Sequence, residues 1–394
     1  MYIEHGRKAE YIKMVDVMVY FHVCIGFLIF SYLAYRLIWP LRSQKILAAG
    51  LLVLLALGAF KFPMIRLLGG ARFFAPELPG WCLHFAGFLY GWVLFCFTLM
   101  VVAELGRGVW FLYCRKSGRK GLSQKGQNIL HGVVAGTALV FALAALWGGT
   151  RAPDVREIPL YFANLPESAE GLRVAVLSDI HVSPTVRKAR VREFVRRTNA
   201  TRADLILILG DFLDGTVEEL REDIAPLGDL SAPLGVWAVT GNHEYYYNYP
   251  EWRKMFQLLG IRMLENQWTN VRGIRLAGIT DPAGRKFGEP VPDLKKALAG
   301  GKKYFTILLA HRPKYAVDAA KLGVDLQLSG HTHGGSIWGL KPLVKRYNAG
   351  FVAGRYQVGD MTLLVSNGTG IWNGMPLRLG APAEILLLEL HKNQ

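Results

Sequence analysis

The sequence predicts an α/β protein in two parts: an N-terminal transmembrane helical bundle of about four spans, then a layered α/β domain. Two observations carry this. Long uncharged apolar runs crowd into residues 1–150, and short β-branched runs alternating with polar amphipathic stretches fill the remainder. Composition agrees, because 52% of the 394 residues are hydrophobic and 19% charged. That balance excludes disorder and is too apolar for one ordinary soluble domain.

The first span is expected at Val17–Tyr35, which carries no formal charge and is about the length a helix needs to cross the hydrocarbon. Ile46–Phe60 supplies a second, fifteen residues between Lys45 and Lys61, short for a crossing unless both lysines snorkel, with Pro63 just beyond. Leu78–Ala103 is uncharged for twenty-six residues and Gly126–Thr150 for twenty-five, the embedded part of the latter being 129–149. The first run is long, lacks a small-residue cleavage site and is followed by further apolar runs, so it reads as an anchor and not as a signal peptide.

The formal charge of +16 is uneven: fifteen basic and five acidic residues precede Arg151, against thirty-one and twenty-five from Arg151 onward. Basic residues scattered between apolar runs face anionic headgroups. A nucleic-acid protein would instead group them on a soluble face beside stacking aromatics, so the expected partner is the lipid bilayer and no nucleic acid. Arg36, Arg42, Lys45, Arg107, Arg115, Lys116, Arg119, Lys120 and Lys125 fall on one side of a four-span arrangement, and Arg7, Lys8, Lys13, Lys61, Arg66 and Arg72 on the other. The positive-inside rule makes the nine-residue side cytoplasmic and places the C-terminal domain of a multi-pass inner-membrane protein outside the cytoplasm; three crossings would reverse this. Cys24, Cys82, Cys96 and Cys114 share no ligand-like spacing and read as packed thiols. Asp16, His22, His84, Glu104 and His131 lie in or beside the spans without a recurring pattern, which favours anchoring or satisfied packing over an ion path.

Residues 151–170 read as a linker. Beyond it, strands are expected at Leu172–Leu177, Leu205–Leu209, Val236–Thr240, Ile274–Ile279, Phe305–Ala310, Leu326–Leu328, Leu363–Ser366 and Ile385–Leu390. Helices are expected at Thr185–Asn199, Val217–Leu227, Pro250–Leu259, Asp293–Ala299 and Pro313–Leu322. Polar residues gather where the strands end. SDIHVSP offers Asp179 and His181, GDFLDG offers Asp211 and Asp214, GNHE offers Asn242, His243 and Glu244, then come His311 and GHTH with His331 and His333. Five of the six histidines beyond Arg151 stand at strand ends, where open α/β sheets place their ligand crevices. Each alone is as well explained by a hydrogen-bonded loop. Together they offer the carboxylate, amide oxygen and imidazole that divalent ions require.

The ordered set D-x-H, GDxxD, GNHE, a lone His and GHTH resembles the calcineurin-like metallophosphoesterase superfamily over about residues 170–390. The apolar spans in front, GHTHGG, and the closing NGTGIWNGMPLRLGAPAEI resemble its bacterial membrane-associated phosphodiesterase branch. The resemblance implies a layered α/β/β/α sandwich over 171–394 and a pair of divalent ions, manganese, iron or zinc. Asp179, His181 and His333 would hold one ion, Asn242, His311 and His331 the other, and Asp211 would bridge them. Such ions, about 3.5–4 Å apart, clamp phosphoryl oxygens and activate a shared water for in-line attack. His243 would protonate or stabilise the leaving oxygen, with Asp214 orienting it; alternatively Asp214 caps a loop.

Glu244 could merely tie its loop, Arg378 could contact phosphate or lie on a solvated face, and Gly210, Gly241 and Gly330 read as turns at strand ends. The basic stretch Lys341–Arg346 could steer anions but by default is a surface charge run. Gly215 and Thr216 stand where relatives acting on phosphoproteins carry Arg-Gly, and Ser336 stands where many anchored relatives carry Gln. The expected substrate is therefore a phosphodiester or pyrophosphate at the membrane surface or cell envelope, possible lipid linkage included. Two other readings are a nucleotide-lipid pyrophosphatase of the UDP-2,3-diacylglucosamine hydrolase type on the cytoplasmic face, and a transporter or scaffold whose metals are structural. His243 beside a full ligand set argues against the last.

Overall fold

The computed structural model describes residues 19–69, 76–300, 304–372 and 374–393. Arg7, Lys8, Lys13, Asp16, Val17 and Arg72 lie outside the described residues. The chain divides into two compact units, Met1–Trp147 with Gly374–Leu377, and Gly148–Asn373 with Arg378–Gln394.

In the first unit, α1 (Val19–Leu41) ends in a π-helical turn at Ala34–Ile38 and a 3-10 turn at Trp39–Leu41, where Pro40 lacks the amide a regular helix uses. α2 (Lys45–Ala59) and α3 (Lys61–Leu68) meet at a 76° bend. Pro63 accounts for it, since in an unbroken helix its ring would clash with the Ala59 carbonyl four residues back. The 15 residues of α2 rise about 22 Å, short of the hydrocarbon thickness of about 30 Å. α4 (Gly80–Ser117) and α5 (Gln124–Thr150) are long. Among the described residues, three helices are long and apolar enough to cross a membrane, or four if the bent pair is one span. Lys61 does not snorkel: it is buried and its Nζ donates to the Gly374 carbonyl at 2.7 Å, within the same unit. The cysteines are unpaired thiols, Cys96 and Cys114 buried and Cys24 exposed. Glu104 accepts from both Arg36 and Arg107.

The second unit runs β1 (Asp154–Phe162), β2 (Leu172–Leu177), α6 (Lys188–Ala200), β3 (Leu205–Ile208), α7 (Val217–Ile224), β4 (Val236–Ala238), α8 (His243–Tyr246), α9 (Tyr249–Leu258), β5 (Ile261–Met263), β6 (Gln267–Val271), β7 (Ile274–Gly278), α10 (Leu294–Ala297), β8 (Phe305–Leu309), α11 (Ala316–Lys321), β9 (Leu326–Ser329), α12 (Lys341–Tyr347), β10 (Gly354–Val358), β11 (Met361–Val365) and β12 (Glu384–Lys392). Two six-stranded sheets result, ordered β1-β12-β2-β3-β4-β5 and β10-β11-β9-β8-β7-β6. β2 to β5 are parallel, as are β7, β8, β9 and β11. Because side chains alternate along a strand, Val174, Val176, Leu205 and Leu207 of the first sheet share one core with Leu276, Ile307, Leu309 and Leu328 of the second. The opposite face of the second sheet, Leu308 and Leu363 among others, buries Ala316 and Ala319 of α11. This is the expected α/β/β/α layering.

The stretch expected to be a linker differs. Residues 154–162 form β1, pairing in parallel with the last strand from Asp154 opposite Glu384 to Phe162 opposite Lys392. Its polar sequence is tolerated because β1 has a partner on one side only and most of its residues are exposed. β5, β6 and β10 were likewise not anticipated.

Candidate metal centre

The parallel strands of both sheets deliver their C-terminal loops to one place. Asp179 follows β2, Asp211 and Asp214 follow β3, Asn242 and His243 follow β4, His311 follows β8, and His331 and His333 follow β9. These loops are laced by backbone bonds: Asp179 N donates to Gly210 O at 3.0 Å, His181 N to Asp211 O at 3.1 Å, and Gly330 N to His311 O at 2.9 Å. Asp179, His181, Asp211, His331 and His333 all hold positive φ, between 48° and 71°. Non-glycine residues rarely adopt this left-handed region, and such strain gathers where surroundings over-determine a functional geometry.

Three overlapping groups form, each with ligand atoms within 4.8 Å of one another: Asp179, His181 and His333; His181, Asp211 and His243; and Asp211, His311 and His331. His181 Nε2 lies 3.1 Å from His333 Nε2, and His333 Nε2 lies 3.5 Å from Asp179 Oδ1. Asp211 Oδ2 sits centrally, 3.2 Å from His311 Nε2, 3.8 Å from His181 Nε2 and 3.9 Å from His243 Nε2. His311 Nε2 also faces His331 Nδ1 at 3.2 Å. Imidazole nitrogens and carboxylate oxygens thus point inward at each other, a donor set that fits divalent cations. Asn242, the expected amide ligand, is nearly buried in the loop after β4.

The surrounding bonds fix which atom each side chain presents. His311 Nδ1 donates to the Leu209 carbonyl at 2.7 Å, leaving Nε2 toward Asp211. Asp214 receives His181 Nδ1 at 3.2 Å through Oδ2 and His243 Nδ1 through Oδ1. Asp214 therefore holds two imidazoles and is not a simple loop cap. Asp179 accepts the His331 amide and the Ser178 hydroxyl, and Asp211 Oδ1 accepts the His243 amide at 2.9 Å. Glu244 does tie its loop, accepting the amides of Asp211, Phe212 and Gly241 at 3.2, 2.7 and 2.6 Å.

Charge follows burial and neighbours. Burial opposes ionisation of Asp211 and Asp214, but adjacent imidazoles hold both below the usual carboxylate range. Burial likewise opposes charge on His243 and His311, yet Asp211, with Asp214 for His243, raises them to about 9 and about 10. His331 and His333 are pushed well below the ordinary value, by burial and then by the neighbouring His311 and His181 respectively, which suits neutral ligands. Burial and Asp211 raise Glu244 to about 7 against the pull of its amide donors.

Three side chains depart from expectation. Arg378 is on no solvated face: it is 3% exposed, donating to the carbonyls of Ala381 at 3.0 Å and Gly370 at 2.7 Å with Nη2 3.3 Å from His333 Nδ1. Arg312 and Asp281 were missed. Asp281, beyond β7, grips Arg312 at 2.6 and 3.1 Å, and Arg312 Nη2 donates to Asn242 Oδ1 at 3.2 Å. That bond identifies the Asn242 atom facing Arg312 as oxygen, since a guanidinium has no acceptor. The signal was present, an Asp past a strand end and an Arg beside His311.

Gly330 and Gly241 do more than turn the chain. A Cβ on Gly330 would lie 1.8 Å from Ser178 Oγ and 2.3 Å from Asp179 Oδ2, and one on Gly241 would lie 2.1 Å from Asp211 Oδ1. Gly330→Ala should displace Asp179, lowering bound metal by elemental analysis and costing about 1–3 kcal/mol in a thermal melt. Wild-type metal content with an unchanged melt would refute this reading of the close approach.

The calcineurin-like phosphoesterase family pattern matches residues 172–335. An uncharacterized metallophosphoesterase of Helicobacter pylori is 31% identical over 349 residues, covering 88% of this chain and 90% of that one. One from Campylobacter jejuni is 33% identical over 261 residues, 66% of this chain and 68% of that one. A Bos taurus transmembrane protein with metallophosphoesterase domain is 37% identical over 268 residues; the match covers 64% of this chain and 60% of that relative's length. With the strand-end carboxylates and imidazoles gathered as they are, the chain belongs to the calcineurin-like phosphoesterase family.

Proposed function

We propose that the chain is a membrane-anchored two-metal phosphoesterase that hydrolyses a phosphodiester or pyrophosphate bond in a substrate at the membrane surface or cell envelope. The observation that carries this is Asp211 Oδ2, set among three imidazole nitrogens at 3.2–3.9 Å between two groups of further ligands. In the proposal Asp179, His181 and His333 hold one ion, Asn242, His311 and His331 the second, and Asp211 both. Bound divalent ions would neutralise the phosphoryl oxygens and activate water. The protein's own part is to orient and to move a proton. Asp214 fixes His243 through Nδ1, which turns Nε2 inward, and its carboxylate favours the protonated ring that would give a proton to the leaving oxygen.

Arg36 and Arg107 meet at Glu104, which supports placing the two basic loop regions on one side, the cytoplasmic side by the positive-inside rule. Under that reading the phosphoesterase domain faces away from the cytoplasm. Purified full-length protein stripped and refilled with manganese should hydrolyse bis(4-nitrophenyl) phosphate, and a chelator should stop it; turnover that survives chelation sinks the proposal. A reporter active only outside the cytoplasm, fused after Gln394, should be active, and silence would favour the cytoplasmic nucleotide-lipid reading.

A further inference from the structure

α12 (Lys341–Tyr347) buries none of its residues, whereas α6, α7, α9 and α11 of the same unit each bury at least two. Its sequence is nevertheless not that of a solvated helix. At 100° per residue, Leu343, Val344 and Tyr347 fall within about 100° of arc, with Lys341 and Lys345 on one flank and Arg346 on the other. Leu343 is 54% exposed and Tyr347 74%, and Trp338, just ahead of the helix, is 60% exposed. These side chains stand on a fixed backbone. Trp338 N donates to the Leu379 carbonyl at 3.1 Å, a Cβ on Gly380 would lie 1.8 Å from Trp338 Nε1, and the buried Asn348 closes the helix by donating Nδ2 to the Val344 carbonyl at 2.9 Å. Between Asp325 and Asp360 the chain has no acidic residue and four basic ones, Lys341, Lys345, Arg346 and Arg355. No ion pair joins the three basic side chains of α12 to an acid among the described residues.

We propose that Trp338 and α12 form a surface that docks on an anionic phospholipid bilayer, with Trp338, Leu343 and Tyr347 at the boundary between headgroups and acyl chains and Lys341, Lys345 and Arg346 on lipid phosphates. An apolar arc bordered on both sides by cations is the layout of a helix lying in the membrane interface, and Trp and Tyr settle at headgroup level because one part of each ring is apolar and the other polar. The core of a protein interface is instead depleted of charge, whereas here cations border the apolar arc on both flanks. Three helices long and apolar enough to cross a membrane keep a bilayer beside this chain. The cations then select among its lipids: each basic residue near the surface is drawn to an anionic leaflet, while a zwitterionic headgroup offers no net charge to any of them. The surface is separate from the metal centre, and its test reads lipid contact and not turnover.

In the test, p-benzoylphenylalanine replaces the exposed Tyr347 of the full-length protein, reconstituted in phosphatidylcholine vesicles containing a minority of phosphatidylglycerol. Near-ultraviolet light should attach lipid to the peptide containing position 347, with phosphatidylglycerol taken out of proportion to its share. Lys341→Gln, Lys345→Gln and Arg346→Gln combined should cut the adduct at least about tenfold, while the charge-keeping K341R, K345R and R346K combined stay within about twofold. Molar salt, which shortens the Debye length to about 3 Å, should act as the glutamine variant does. Leu343→Ser, which removes apolar contact and leaves the charge, should lower the adduct about fivefold. None of these positions is buried, so each variant should melt with the parent chain, and the melt establishes that it is folded. Absence of a lipid adduct in the otherwise wild-type chain, capture of the two lipids in proportion to their abundance, or an adduct that survives the glutamine variant would each overturn the proposal. So would a cross-linked dimer in place of lipid, which would make a second copy of this chain the occupant.

Discussion

Asp211→Asn should reduce manganese-dependent hydrolysis of bis(4-nitrophenyl) phosphate by at least about 10³-fold, equivalent to about 4 kcal/mol of transition-state stabilisation. The reason is local. Asp211 Oδ1 is occupied by the His243 amide at 2.9 Å, and only Oδ2 faces the imidazoles of His311, His181 and His243. In asparagine the remaining oxygen would keep the amide bond, so the NH₂ group would take the place of Oδ2. A donor with no lone pair would then stand where both ion groups converge, and the negative charge that draws cations to the centre would be gone. Elemental analysis should show both ions depleted, and turnover at the wild-type rate would reject the two-metal assignment.

The inner strands β2, β3, β8 and β9 are buried almost throughout, so each reads as a mostly apolar run whose end is plain, and the proposed ligands that follow them stand two to four residues past those ends. The four strands that escaped notice, β1, β5, β6 and β10, are the four edges of the two sheets. An edge strand has one hydrogen-bonded neighbour and a solvated flank, so nothing forces its residues into an apolar or alternating pattern. Pairing with β12, set by tertiary contact, makes a strand of Asp154–Phe162 despite its charges. Arg312 and Asp281 carried only position as a signal, one beside His311 and one past a strand end, because their importance lies in a bond between two loops 31 positions apart and neither belongs to a recognisable motif. For Arg378, a lone Arg near a Gly/Pro-rich tail is compatible with both a phosphate contact and a solvated face. Burial against four polar neighbours is a property of the fold alone.

Asp214 and His243 offer the sharper test, because the structure gives one carboxylate two clients. Asp214 Oδ1 accepts from His243 Nδ1 while Oδ2 accepts from His181 Nδ1 at 3.2 Å, so the same group orients the proposed acid and a proposed ligand. His243→Ala should keep its metals and lose roughly two to four decades of turnover, the usual value of a positioned proton donor. Asp214→Asn should do both kinds of damage. An amide presents one acceptor and one donor where two imidazole N–H groups each need an acceptor, so one ring must change tautomer or rotate. If His181 is the ring displaced, metal affinity should fall about 10–100-fold, and turnover falls with it. A double variant separates the two routes: were Asp214 to act through His243 alone, Asp214→Ala added to His243→Ala would change neither metal content nor rate. A further loss of metal in that double variant, which leaves His181 Nδ1 without its acceptor, with no further loss of rate per bound ion, is the outcome expected from the geometry. Equal metal content in all three variants would mean that His181 keeps its orientation without Asp214.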